Sequence, residues 1–474
     1  MFCIEKNKPG YKLWEENDII NKLMLGITYL PMPGNLHVKR GVFMKNWFST
    51  LTIFSSIQWL FFIFANTVVV PISIAAAFEL PPETLEMMLR ISLIVTGLAC
   101  IFQGWLGHRL PLMEGHSGLL WGVILNLGLS APAMGMSLPA VGGGIAAGVL
   151  LACLFILLLA VFNGMRLLQY VFSKMVMSVY LFLLTFQLIF IFFKGMIKVN
   201  ETGTLDTAIS LYSIAIVVLV IVLKIKGNKT ISNFSILIGL MVGWFGFSLL
   251  FPEERVQPVQ EAISFVLFPL GKPNLEIGII AVSFFAVVIN LSNTITSIKA
   301  GAELLQEEPA DKQYRKSMAI TSIFTAVGTG FGLVPYTPFT SSIGFLQSTR
   351  IFERLPFFLG GGLLTLIGLV PLFGSFLATM PITVGNAVLF VAYLQLFGTS
   401  FSSLSGYTFN SNTIFRLAVP VLIGVCLMNS SPALFTDLPV VIQPIISNGL
   451  IIGVLLSMLL ERLVSWRAYE IENT

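Results

Sequence analysis

The chain has 474 residues, 56% of them hydrophobic and 11% charged, with 40 Phe and a formal net charge of +4. About a quarter of the residues of a soluble protein are charged, so that class is excluded, and so small a charge on scattered Lys and Arg excludes a nucleic-acid partner. At about 20 apolar residues per spanning helix the composition furnishes on the order of 12 to 14 crossings, which predicts one all-α polytopic membrane unit.

Residues 1–50 mix charge, Pro and Gly without an apolar core followed by a small-residue cleavage site, so they read as a cytoplasmic segment and not a removable signal peptide. Apolar segments follow at 51–77, 89–107, 116–129, 140–163, 168–193, 207–225, 232–251, 275–299, 317–331, 339–350, 355–378, 381–398, 412–429 and 438–461, with a cytoplasmic tail over 462–474. On the first segment Gln58, Phe62 and Asn66 share one helical face, while Trp59 fits either an interfacial anchor or a pocket wall. The segments at 116–129 and 339–350 are too short to cross about 30 Å of hydrocarbon as helix. Each follows a proline-containing stretch, Leu110 to Gly115 and Val334 to Pro338, where proline enforces extended geometry. Both read as broken spans, and non-helical backbone at membrane depth marks a site because bare peptide groups cost several kcal/mol in lipid.

With 14 crossings and the N-terminus inside, the cytoplasmic side receives Lys39, Arg40, Lys45, Arg109, Arg166, Lys224, Lys226, Lys229, Lys299, Lys312, Arg315, Lys316, Arg350, Arg354, Arg462 and Arg467. The other side receives Arg90, Lys194, Lys198, Arg255 and Lys272, so the positive-inside rule places both termini in the cytoplasm. Asn66-Thr67 in the first span echoes Asn293-Thr294 in the eighth, and Pro111 echoes Pro335, at offsets of 227 and 224 residues. A copy displaced by seven crossings enters the membrane from the opposite side, so 51–251 and 275–461 read as two inverted repeats, a transporter architecture.

Ionisable residues inside spans are costly and usually functional. Glu114 and His116 flank Gly115 just before Ser117, which begins a half-helix with free N–H groups. They read either as a ligand or proton site, or as Glu114 paired with Arg109 beside a satisfied core histidine. In the tenth span Phe339 sits among Thr337, Thr340, Ser341 and Ser342, hydroxyls suited to hydrogen-bond a planar polar solute on which Phe339 can stack. The eighth span carries Asn290, Ser292, Asn293, Thr294 and Thr296, more polar groups than interhelical bonding alone requires. Cys3, Cys100, Cys153 and Cys426 are far apart, which implies no disulfide framework or metal cluster. There is no GxSxG, Walker loop or zinc-ligand spacing, so neither an enzyme nor a cofactor is expected.

From Gln58 through Val70-Pro71, and again at Pro111 to Ser117, Pro335 to Arg350 and Met380 to Gly385, the chain resembles the nucleobase–ascorbate transporter (nucleobase:cation symporter-2) family, in its bacterial uracil, xanthine and purine permease branch. The resemblance, over about residues 50 to 465, implies 14 spans in two inverted repeats of seven. It further implies core and gate domains, short strands breaking spans 3 and 10, and a homodimer in the plasma membrane. It implies import of a nucleobase, a purine or xanthine or else uracil, ahead of ascorbate, by symport of a cation, a proton ahead of sodium. The substrate site would comprise Asn66, Gly115, Ser117, Asn290, Asn293, Phe339, Thr340, Ser341 and Ser342. The chain departs from the family where carboxylates usually hold the base: Asn290 or Leu291 stands in the eighth span and Ser341 in the tenth, and Trp59 replaces the first span's histidine. That leaves Glu114 and His116 as the coupling residues. An anion carrier on the same fold and a non-transporting membrane receptor are the alternatives.

Overall fold

The computed structural model describes residues 50–162, 173–200, 203–254, 265–435, 437–439, 442–464 and 466. The expected N-terminal segment through residue 49, most of the tail, and the cations Lys39, Arg40, Lys45, Arg166, Arg255 and Arg467 lie outside the described residues. The elements run α1 Thr50–Thr67, α2 Val69–Ala77, α3 Pro82–Trp105, β1 Glu114–His116, α4 Gly118–Ser130, α5 Leu138–Val161, α6 Lys174–Met196, α7 Thr207–Lys226, α8 Lys229–Leu250, α9 Ile277–Leu304 and α10 Asp311–Gly330. There follow β2 Tyr336–Pro338, α11 Ser341–Thr349, α12 Arg354–Leu369, α13 Pro371–Ala378, α14 Ile382–Tyr393, α15 Gln395–Ser403, α16 Ser411–Met428, α17 Gln443–Ile446 and α18 Gly449–Leu463.

Local chemistry sets the ends of these helices. Side chains of Ser137, Ser173, Asp206, Asn228, Asn410 and Asn448 each accept from an N–H in the first turn that follows, satisfying donors that lipid could not. Proline sets the interruptions. Pro71 has no N–H to return to the Thr67 carbonyl, and the helix lapses at Val68 between α1 and α2. The segment expected over 355–378 is likewise two helices, because Val370, preceding Pro371, is extended at φ −89° and ψ 115°. The last expected segment, 438–461, is helical without interruption only from Gly449, after a single turn at Gln443–Ile446. Among the described residues, eight helices are long and apolar enough to cross a membrane, while Gly118–Ser130, Phe234–Leu250 and Arg354–Leu369 are apolar but shorter.

The helices pack in two groups. In the first, α12 lies on α1 and α3, while α5 lies on α9 and α10. Glycine lets α5 approach α9 closely: a Cβ on Gly144 of α5 would fall 2.8 Å from Cβ of Ile279, and one on Gly148 2.6 Å from the Ile280 carbonyl oxygen. In the second group, α6 carries α14, α15, α16 and α18, and α7 and α8 join through α14. The buried Arg416 of α16 holds Glu461 of α18 by two bonds of 2.8 Å and lies over the rings of Tyr407 and Trp466. The groups meet along α4 with α6, α2 with α14, α1 with α8, α8 with α11, and α9 with α17 and α18.

Candidate functional site

The two proline-containing stretches meet as an antiparallel pair, with Glu114 opposite Pro338, Gly115 opposite Thr337 and His116 opposite Tyr336. Ser117 N donates to Pro335 O at 2.7 Å and Phe339 N to Met113 O at 2.8 Å, extending the pairing at both ends. Two interrupted helices thereby satisfy each other's backbone, which answers the cost of irregular chain in lipid. Each strand feeds a half-helix, α4 and α11, whose N-terminal N–H groups face the strand pair.

Successive strand side chains point to opposite faces. One face looks onto α3 and α10. Thr321 donates to Glu114 Oε1 at 2.5 Å and itself accepts from Gln103 Nε2 at 2.8 Å. Gln103 also donates to the Ser317 carbonyl, which fixes its amide orientation. The Cys100 thiol bridges the Glu114 backbone, accepting from its N–H and donating to its C=O. His116 lies between Ser92 Oγ at 2.7 Å and the Val334 carbonyl at 3.0 Å. A carbonyl only accepts, so Nδ1 carries the proton and Nε2 of a neutral ring takes the Ser92 hydroxyl. Tyr336 packs on the imidazole at 4.9 Å and bonds Thr96. Glu114 makes no ion pair with Arg109: among the described residues its carboxyl bonds Thr321, and Oε2 is buried without a partner.

The opposite face looks onto α9. Ser117, which caps α4, also donates to Asn290 Oδ1 at 2.8 Å, while Asn290 Nδ2 reaches Tyr336 O at 3.4 Å. Asn293 Nδ2 donates to Thr337 Oγ1 and Pro338 O, and its Oδ1 accepts from Thr340. Ser297 donates to the same Pro338 carbonyl. Asn290, Asn293 and Ser297, spaced by three and four residues, form one stripe that holds β2 and the entrance to α11.

The residues expected at the site therefore take different positions. Gly115 lies under the Phe339 ring, since a Cβ there would sit 3.2 Å from the ring edge; the ring itself occupies that approach. Ser342 is buried and accepts from Met113 N. Thr340 makes no side-chain cap and joins Ser297 and Asn293 instead. Ser341 is exposed, and a Cβ on Gly344 one turn later would meet nothing within 4 Å. Asn66 is half-buried and bonds the Phe62 carbonyl of its own helix, unlike Asn293, its echo. Trp59 is wholly buried among Phe62, Phe345 and Phe357, so it is a core residue and not an interfacial anchor. The sequence reading missed Ser92, Thr96, Cys100 and Gln103, although their spacing of four, four and three marks one polar face on an apolar helix.

The fold is shared with two solved proteins. The transmembrane domain of the cyanobacterial bicarbonate transporter BicA matches with a TM-score of 0.55 at 12% identity, over 87% of this chain and 97% of that one. The murine anion transporter Slc26a9 matches with a TM-score of 0.59 at 11% identity, over 96% and 77%. Residues 50–432 match the model of the Permease family, Xan_ur_permease, and the chain belongs to that family. The putative purine permease YwdJ of Bacillus subtilis (strain 168) is 26% identical over 89% of this chain and 98% of its own. The uric acid permease PucJ of the same organism is 26% identical over 89% and 94%, and the uric acid transporter UacT of Escherichia coli (strain K12) 23% over 86% and 85%. The chain is thus a multi-pass membrane permease, not an enzyme.

Proposed function

We propose that this permease is a secondary active importer of a nucleobase, a purine or xanthine ahead of uracil, driven by symport of a cation, a proton ahead of sodium. The observation that carries the reading is the strand pair, placed between two half-helix N-termini and bordered by an exposed serine, a phenyl ring and an amide stripe. Relatives described as purine, uric acid and xanthine permeases support the substrate class. A planar base has donors and acceptors along its edge and an aromatic face; Ser341 and Asn290 serve the edge and Phe339 the face. Glu114, with one unpartnered carboxyl oxygen, and His116 are the coupling groups.

In the same reading the chain makes 14 crossings as two inverted repeats, with both termini in the cytoplasm, and works as a homodimer in the plasma membrane. The group built on α3, α5, α9, α10 and α12 moves as a core against the group built on α6, α7, α14 and α16. Uptake of radiolabelled adenine, guanine, hypoxanthine, xanthine, uracil and urate in a host lacking its own base permeases tests the reading. No accumulation of any of them by membrane-localised protein would overturn it. The half-helix N-termini also suit an anion, and competition by neutral bases instead of sulfate or bicarbonate separates the two.

A further inference from the structure

Three consecutive glycines in α12, about 100° apart around the helix, meet three different surroundings. A Cβ on Gly360 would lie 2.7 Å from Cβ of Trp59 in α1, and one on Gly361 3.0 Å from the Gly97 carbonyl oxygen in α3, whereas one on Gly362 would meet nothing within 4 Å. The helix is clamped on two sides and open on the third. The open side borders an apolar groove of about 370 Å³ between Leu98 and Ile101 of α3 and Phe358, Gly362, Leu363 and Leu366 of α12.

Helical spacing carries both walls of this groove to the same end. Arg354 is the first residue of α12, one turn before Phe358, so it stands at the end of the groove and on the side turned toward α3. Trp105 stands four residues after Ile101 and is 61% exposed, the position of an aromatic anchor at a membrane boundary. Arg354 lies within electrostatic reach of Arg109 and of Glu307. From Arg354 to Leu366 the helix rises about 18 Å, a little more than half of the roughly 30 Å of hydrocarbon. A groove of that length matches one leaflet when Arg354 and Trp105 stand at the membrane boundary.

We propose that this groove seats an acyl chain of an anionic phospholipid whose phosphate lies against Arg354, with Arg109 adding positive charge behind it. The apolar walls take the chain, the guanidinium takes the phosphate, and Trp105 sits at headgroup level. Glu307 and the exposed Glu353 limit the field, so the preference for an anionic headgroup comes from direct contact. One basic residue at a lipid surface supplies a factor of about five.

The test uses purified full-length protein in detergent, with thermal unfolding followed against phosphatidylglycerol, phosphatidylcholine of the same chains, and inorganic phosphate. Phosphatidylglycerol should raise the melting temperature at about fivefold lower concentration than phosphatidylcholine, and phosphate should leave it unchanged. Gly362→Leu fills the groove from a position with open space and should abolish the response to both lipids. Arg354→Gln should keep the response but equalise the two lipids, and it reads the site independently if Gly362→Leu does not fold. A shift produced by phosphate alone, no lipid response in the wild type, or an unchanged lipid preference in Arg354→Gln would each overturn the proposal.

Discussion

In Asn290→Ala the Ser117 hydroxyl loses its acceptor at 2.8 Å and the Tyr336 carbonyl loses a donor, so the junction of α4, α9 and β2 is left with unpaired polar groups. Each such group costs about 1 to 3 kcal/mol, and this variant should show both a lower melting temperature and weaker apparent affinity for the base. Ser341 is exposed at the start of α11. Ser341→Ala should therefore leave stability unchanged and weaken affinity by about 5- to 150-fold, the same cost expressed as binding. Uptake kinetics beside thermal unfolding of the two variants distinguish a residue that builds the site from one that faces the solute. Phe339→Ala should lower affinity for all bases alike, measured by competition among them. For Glu114, the glutamine variant keeps an oxygen for Thr321 but cannot exchange a proton. Glu114→Gln should lose uphill, protonophore-sensitive accumulation yet retain base-for-base exchange in proteoliposomes, and undiminished accumulation would remove Glu114 from coupling.

At the level of elements, close approach of α3 and α12 depends on Gly97, where a Cβ would fall 2.3 Å from Thr365 Oγ1 and 2.4 Å from the Gly361 carbonyl oxygen. Backbone cannot step aside as a flexible side chain can. Gly97→Val should destabilise the protein by about 1 to 3 kcal/mol through overpacking, seen as a lower melting temperature, while Gly362→Ala on the open side should be neutral. The same contrast marks what the sequence makes legible. Pro111, Pro335 and two short apolar runs identify the broken spans, because proline acts locally on its own backbone. The stripe of Asn290 and Asn293 is legible because amides are rare in an apolar helix. Pairing partners are not legible: Thr321 stands 207 residues from Glu114, and nothing near either residue encodes their contact. Nor does the sequence say that Asn66 turns back on its own helix while Asn293 reaches across to β2, since an Asn-Thr pair reads alike in both places.

Across the whole molecule, the proposed transport cycle requires the two helix groups to slide past each other, and one contact between them can be locked. On the first side stands Val69 at the start of α2; on the second stands Gly385 in α14. A Cβ on Gly385 would lie 3.1 Å from Cγ1 and 3.3 Å from Cγ2 of Val69, close enough for a disulfide, whose Cβ atoms stand about 3.5 to 4.5 Å apart. Cys100 and Cys153 are buried and Cys426 is exposed, so the pair is best introduced on a background in which Cys426 and Cys3 of the N-terminal segment are both serine. Oxidation of Val69→Cys with Gly385→Cys should abolish uptake while leaving base-dependent thermal stabilisation intact, because binding needs one arrangement of the groups and transport needs two. Dithiothreitol should restore uptake, and each single variant should be insensitive to oxidant. Full uptake with the crosslink verified by gel shift would mean that α2 and α14 stay together throughout the cycle, and the moving boundary would then have to run elsewhere, along α4 and α6 or α1 and α8.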